Sequence, residues 1–296
     1  MNDPRSPLDN FTNAHPFFVG IDSDGCAFDT MEIKHKQCFI PAFLAHFELN
    51  AVADEARAVA EFVNLYSFWR GTNRFPAYAR SLEMLAEHPE VLRRGIAITP
   101  RPGLSRWIAA EKTFSDATLR RAIEADDHPD LRRALGWSVA VNDLIRSTVR
   151  DVPPFPGVKD VLQALDGRTD VMVVSATPGE ALQREWNEHG LARHVARIAG
   201  QELGSKARIL AVAAAGRYPP DHVLMIGDAP GDHAAARAND ALFYPILPGH
   251  EAESWEKLRD EALDRFFNGT YKGDYMDARL AEFEALLPET PYWKSG

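Results

Sequence analysis

The sequence predicts an α/β protein, a doubly wound parallel sheet with an all-helical insertion, and three observations carry that prediction. Short apolar runs at Phe17-Phe18-Val19-Gly20-Ile21, Val171-Met172-Val173-Val174 and Val223-Leu224-Met225-Ile226 have the unbroken hydrophobicity of strands buried on both faces. Helical patterns separate the later runs, so the strands are joined by crossovers and run parallel. Between the first run and the second, residues 31–150 place apolar side chains three and four apart, with no convincing strand among them.

The first run ends abruptly in Asp22-Ser23-Asp24-Gly25. Two residues apart on an extended chain, Asp22 and Asp24 point the same way, and Gly25 lets the backbone turn away behind them. In an open α/β sheet ligands bind beyond the carboxyl ends of the strands, so the acidic pair stands where chemistry is done. Alone, D-x-D-G also occurs in plain turns and in calcium loops. The EF-hand form does not apply, because it needs glycine sixth and a helix in front, whereas Gly25 is fourth and a strand precedes.

After Cys26 the pattern turns helical. Cys38, Ile40, Phe43, Leu44 and Phe47 form one apolar face, Ala60, Val63, Leu65 and Trp69 another, and Leu82 and Leu85 continue it. Pro100 and Pro102 break the pattern; a further block through Trp107, Leu119, Ile123, Leu131, Leu135 and Leu144 ends at the proline-rich Asp151-Val152-Pro153-Pro154-Phe155-Pro156-Gly157. A short helix through Val161, Leu162 and Leu165 leads into the second strand, which Ser175 closes. Pro178 opens a helix through Leu182 and Trp186 that Gly190 stops. A weaker strand spans Val195 to Ala199, Lys206 begins a helix, and the next strand ends in Gly227-Asp228. Ala241 to Ile246 reads as the last strand, at an edge or exit because of Pro245. Two helices follow, one through Trp255, Leu258, Leu263, Phe266 and Phe267, the other through Leu280, Phe283, Leu286 and Leu287.

Composition narrows the function classes. The 296 residues suffice for one large or two modest domains. Apolar residues at 45% and charged ones at 26% are ordinary globular values. No apolar run approaches the roughly 18 residues that span a bilayer, so no membrane is expected as a partner. A formal charge of −10 argues against nucleic acid, whose binding rests on clustered Lys and Arg. The segment through His15 is polar with no apolar signal core, and is expected to be a loose arm on a cytoplasmic protein. Cys26 and Cys38 are too few for a disulfide framework or a zinc site, and whether Cys26, beside the carboxylates, is sensitive to oxidation does not follow from the sequence.

Taken in order, Asp22-Ser23-Asp24-Gly25, Ser175 after an apolar strand, Lys206, and Gly227-Asp228-Ala229-Pro230-Gly231-Asp232 after another resemble the haloacid dehalogenase superfamily. The resemblance covers most of the chain. It takes in Phe28-Asp29-Thr30, Phe155-Pro156-Gly157-Val158, and a helical insertion where type 1 capped members carry theirs. It implies a Rossmann-like core of residues 1–30 and 151–296, with 1–15 as the arm, and a helical cap of residues 31–150.

What the resemblance implies chemically is a phosphatase. An ionised carboxylate can attack phosphorus; Asp22 would be that nucleophile, and Asp24 the acid and base for the leaving oxygen and the attacking water. Ser175 and the Ala176 backbone N–H would bind a phosphoryl oxygen, and Lys206 would supply a point charge. Magnesium, Mg2+, would be held by Asp22, Asp228 and the Asp24 backbone carbonyl, with Asp232 ligating through water or positioning Lys206. The plainer readings are a turn residue for Ser175, a solvated Lys206 and a helix cap for Asp228 or Asp232. The second aspartate favours phosphate esters over the family's dehalogenases and phosphonate-cleaving members. The departure is Cys26, where threonine is most usual.

The cap would read the leaving group of a small phosphorylated metabolite. Arg70 and Arg74, around Gly71 and among aromatics, suit an anionic or polyhydroxylated substrate or are solvated loop charges; His35 would gate protons in a mutase or is a surface residue. A sugar phosphomutase of the same fold and a non-catalytic binding module are the alternatives. Oligomeric state and exact substrate do not follow from the sequence.

Overall fold

Five parallel strands among the described residues make one sheet: β1 (Phe17–Ile21), β2 (Thr169–Val174), β3 (Arg197–Ala199), β4 (Val223–Gly227) and β5 (Leu242–Pro245), in the order β3-β2-β1-β4-β5. The structure, a computed structural model, describes Leu8 and residues 11–294. Every residue of β2, β4 and β5 is buried, as their uninterrupted apolar runs require of strands covered on both faces. β5 lies at an edge, where Pro245 costs no internal ladder bond. Expected strand and helix positions match to within a few residues, except that Val195 and Ala196 precede β3.

Topology gathers the strand ends. β1 is central, its Ile21 level with Val173 of β2 and Ile226 of β4. Asp22 therefore leaves the sheet beside the exits of both neighbours, and its N–H continues the ladder to the Ile226 carbonyl at 3.0 Å. From β1 the chain adds β2 and β3 on one side, then returns to add β4 and β5 on the other. The reversal between β1 and β4 is the topological switch point at which open sheets bind ligands.

The chain divides into two compact units. One holds the sheet and comprises, of the described residues, Leu8, residues 11–30 and Asp151–Leu286; the other is helical, Met31–Arg150 with residues 287–294. The sequence reading put 287–294 in the core. Instead Trp293 packs on Phe62 with ring centroids 5.4 Å apart, Lys294 pairs with Glu87 at 2.7 Å, and Phe68 N–H donates to the Pro288 carbonyl. Aromatic side chains too dispersed for a periodicity argument thus decide where the chain ends up.

The expected loose arm is also corrected over residues 11–15; residues 1–7, 9 and 10 lie outside the described residues. Phe11 is buried against Phe18, and the Ala14 and His15 N–H groups donate to Asp170 at 2.9 and 3.0 Å. Buried Asp170 opens onto these donors, so polar composition here signals a hydrogen-bonded strap rather than solvation. In the helical unit, Tyr78 stacks on Trp137 at 4.8 Å and Phe75 meets Trp107 edge-on at 5.2 Å, giving it a core of its own.

Candidate active site

Asp22 is 4% exposed and follows the central strand directly. Its Oδ1 accepts the Ser23 N–H at 2.8 Å, and its Oδ2 lies 2.7 Å from Lys206 Nζ. Behind it, Gly25 takes φ 77°, the left-handed turn that a glycine adopts freely. Ser23 faces inward: its hydroxyl accepts from Trp186 Nε1 at 3.0 Å and donates to Glu185 at 3.3 Å, both on the helix Gly179–Glu188. The peptide between the two aspartates is therefore tied to a neighbouring helix.

Lys206 is the first residue of the helix Lys206–Ala213, which Ser205 caps. Its ammonium is shared between Asp22 and Asp232 Oδ1, 2.6 Å away. Burial works against its charge, but the two carboxylates more than offset that and its pKa is raised. Asp232 both caps a helix and positions Lys206. Its Oδ2 caps the helix Pro230–Arg237 by accepting Ala229 N–H at 3.1 Å, while Oδ1 holds Lys206. Burial pushes the Asp232 carboxyl up to about 6 despite the opposing pull of Lys206. The solvated reading of Lys206 is ruled out by these partners.

Close approach at this corner requires Gly227. A Cβ there would stand 2.4 Å from the Asp232 Cβ and Cγ. Asp228, beside it, is 1% exposed. One oxygen each of Asp22, Asp228 and Asp232 lie within 4.8 Å of one another. Three buried carboxylates against one ammonium leave negative charge that an apolar interior disfavours, and hard carboxylate oxygens suit a cation of the magnesium type. The donor set thus fits the expected ion.

Asp24 stands apart from that trio in its partners. Its Oδ1 accepts from the Thr30 hydroxyl and its Oδ2 from Thr177 Oγ1 at 2.6 Å. Sequence reasoning missed both threonines. Thr30 belonged to a quoted motif and Thr177 stands two residues past Ser175, so proximity in sequence to named residues was the available signal. Buried Ser175 donates its N–H to the Ala199 carbonyl, and its Oγ accepts Thr177 N–H at 3.3 Å; Ala176 is exposed on the same loop. The structure thus brings Asp22, Lys206, Asp228 and Asp232 into one cluster, with Asp24 and Ser175 linked through Thr177.

The remaining candidates lie in the helical unit. Arg70 is 3% exposed and donates to the Leu65 carbonyl at 2.8 Å. Arg74 begins the helix Arg74–Ala86 and bonds Ser138 Oγ at 3.0 Å and Asn142 Oδ1 at 2.8 Å. Neither is a solvated loop charge. His35, expected at the surface in its plainer reading, is buried and stacks on Phe39 at 4.6 Å. Cys26 lies beside the carboxylate cluster. It is fully buried, and burial foremost, then Asp228 and Asp22, push its thiol well above the usual range, which disfavours the thiolate that oxidation needs.

No family model matches the chain, and no curated protein does. Solved structures do. A β-phosphoglucomutase from Clostridium difficile is similar at 16% identity and a TM-score of 0.49, over 85% of this chain and 96% of that one. A predicted phosphoglycolate phosphatase from Haemophilus somnus is similar at 12% identity and a TM-score of 0.44, over 81% and 92%. A candidate haloacid dehalogenase hydrolase from Bacillus subtilis, bound to magnesium, is similar at 14% identity and a TM-score of 0.41, over 77% and 86%. What this chain does is decided by its own site.

Proposed function

We propose that the chain is a magnesium-dependent phosphatase of the haloacid dehalogenase type, hydrolysing a small phosphorylated metabolite through an aspartyl-phosphate on Asp22. The observation that carries this reading is the buried Asp22 carboxylate at the end of the central strand, 2.7 Å from Lys206 and clustered with Asp228 and Asp232. A carboxylate packed in that way is costly as mere structure and apt as a nucleophile.

In the first half-reaction an Asp22 oxygen bonds to phosphorus while the bond from phosphorus to the ester oxygen breaks. The electron pair leaves with that oxygen, and Asp24 gives it a proton, releasing an alcohol. In the second, Asp24 takes a proton from water as the water oxygen bonds to phosphorus. The Asp22–phosphorus bond breaks, giving inorganic phosphate, a free Asp22 carboxylate and a reprotonated Asp24. Lys206 and the Ser175 hydroxyl stabilise charge on the transferring group. Ser175 Oγ already accepts from Thr177, so its own hydrogen is left to donate.

Magnesium would be held by the Asp22 and Asp228 carboxylates and the Asp24 carbonyl, with Asp232 reaching it through water. Bound there, it supplies the positive charge that lets an anionic nucleophile approach an anionic phosphate.

The test is phosphate release from sugar phosphates, nucleotides and phosphorylated acids, with and without magnesium. Magnesium-dependent release that Asp22→Asn abolishes is the expected result. A folded protein that releases phosphate from none of them overturns the reading.

A further inference from the structure

Both oxygens of Asp24 are engaged by threonine hydroxyls, and the two threonines are held very differently. Thr30 is fully buried at the start of a helix. Thr177 sits on the loop that leaves β2, and the backbone of that loop is held by Ser175 and by the segment Gly200-Gln201. Its N–H donates to Ser175 Oγ, and its carbonyl accepts Gln201 N–H at 3.0 Å. Gly200 backs it so closely that a Cβ there would stand 2.7 Å from the Thr177 carbonyl oxygen and 2.4 Å from Gly179 N. A β-branched side chain on a pinned backbone has little rotamer freedom, so the hydroxyl reaching Asp24 Oδ2 at 2.6 Å is set in place in advance.

We propose that Thr177 is the positioning residue for Asp24, fixing the carboxyl group that moves the proton in both half-reactions and coupling it to the phosphate-binding Ser175. The proposal rests on the phosphatase reading above and deepens it. Asp24 must alternate between carboxylic acid and carboxylate once per turnover. A hydroxyl both donates and accepts, so Thr177 can hold either form with only a rotation of its hydrogen. No purely donating side chain does that. Losing the restraint lets the carboxyl leave its productive orientation, and misplacements of about 1 Å at a reacting group cost on the order of 10²-fold in rate. The shared loop gives the arrangement its economy: one tripeptide, Ser175 to Thr177, orients both the phosphoryl donor and the proton carrier.

The experiment compares wild type, Thr177→Val and Thr177→Ser on whichever phosphate ester the wild type hydrolyses. Valine matches threonine in shape but turns a methyl group towards Asp24 at hydrogen-bond distance. We expect kcat to fall about ten- to a hundredfold with KM within about twofold, the size of one lost hydrogen bond to a charged group. Serine, which keeps the hydroxyl, restores kcat to within about threefold. Crystal structures of wild type and Thr177→Val give a readout free of turnover, in which Asp24 is displaced from Thr30 only in the variant. An unchanged kcat, a rise in KM that accounts for the whole loss, a serine variant as poor as valine, or an undisplaced Asp24 each overturns the proposal. Failure of the phosphatase reading shows separately, as wild type that releases no phosphate, and the displacement of Asp24 then still decides the positioning role.

Discussion

Lys206 Nζ lies 2.7 Å from Asp22 Oδ2, and the same ammonium lies 2.6 Å from Asp232. It thus both charges the site and offsets two buried carboxylates that it bridges. Lys206→Met, which retains most of the stem, is expected to lower kcat on the order of 10²–10³-fold, as loss of one preorganised charge commonly does. It should also destabilise the fold by about 3–5 kcal/mol, because the carboxylates are left uncompensated. Steady-state kinetics and urea unfolding on the same preparation measure the two effects. A variant with lost activity and intact stability would place Lys206 on substrate alone, without the structural duty.

The carboxylate trio predicts that magnesium binds the folded protein whether or not substrate is present. An ion that binds only the native state stabilises it by about 2.7 kcal/mol at a hundred times its Kd. Calorimetric melting should therefore move upward with added magnesium in wild type. In Asp228→Asn, which preserves shape and removes a ligand charge, most of that upward movement should vanish. Equal shifts in both proteins would place the ion elsewhere.

Gly227 and Gly231 stand in one loop-to-helix segment yet predict opposite outcomes for alanine. At Gly227 the added Cβ would meet Asp232 at 2.4 Å, forcing it off Lys206, so Gly227→Ala should cost about 1–3 kcal/mol and reduce turnover. At Gly231, inside the helix Pro230–Arg237, nothing lies within 4 Å, and alanine should be neutral or stabilising by up to about 1 kcal/mol. Urea midpoints of the two variants make the comparison. Equal destabilisation would mean that the close approach to Asp232 is relaxed at little cost.

Much of this was legible in the sequence because burial on both faces writes strands as plain apolar runs, and each run ended in a polar residue. Asp22, Ser175, Lys206 and Asp228 stand where strand exits and helix starts put them. The less legible parts depend on contacts with no local signature. Thr177 looked like any loop threonine, since its partner Asp24 is 153 residues away. Trp293 carried no periodicity, yet packing on Phe62 draws the C-terminal stretch to the helical unit. Arg70 and Arg74 stood between a substrate-facing and a loop-charge reading because composition does not say whether an arginine turns inward to backbone carbonyls and side-chain amides.

Asp170, far from the acidic cluster in role, makes the prediction about pH. It is 4% exposed; Ala14 N–H, His15 N–H and the Tyr218 hydroxyl donate to Oδ2, and His15 Nδ1 lies 3.0 Å from Oδ1. Burial works against its charge, but the Tyr218 and His15 hydrogen bonds more than offset this and hold the carboxyl below its ordinary value. A folded-state pKa below the unfolded one, about 3.9, means that the stabilisation is fully present above that pH and is lost as pH falls through the folded value. Asp170→Asn turns an amide NH2 towards donors and should cost about 1–3 kcal/mol at pH 7. The difference from wild type should begin to shrink below about pH 4, where Asp170 of the unfolded chain takes up a proton, and be lost as pH falls through the lower folded value. Urea unfolding of both proteins between pH 7 and pH 3 measures it, and a gap that stays constant across that range would show that the charge on Asp170 does not hold residues 11–15 in place.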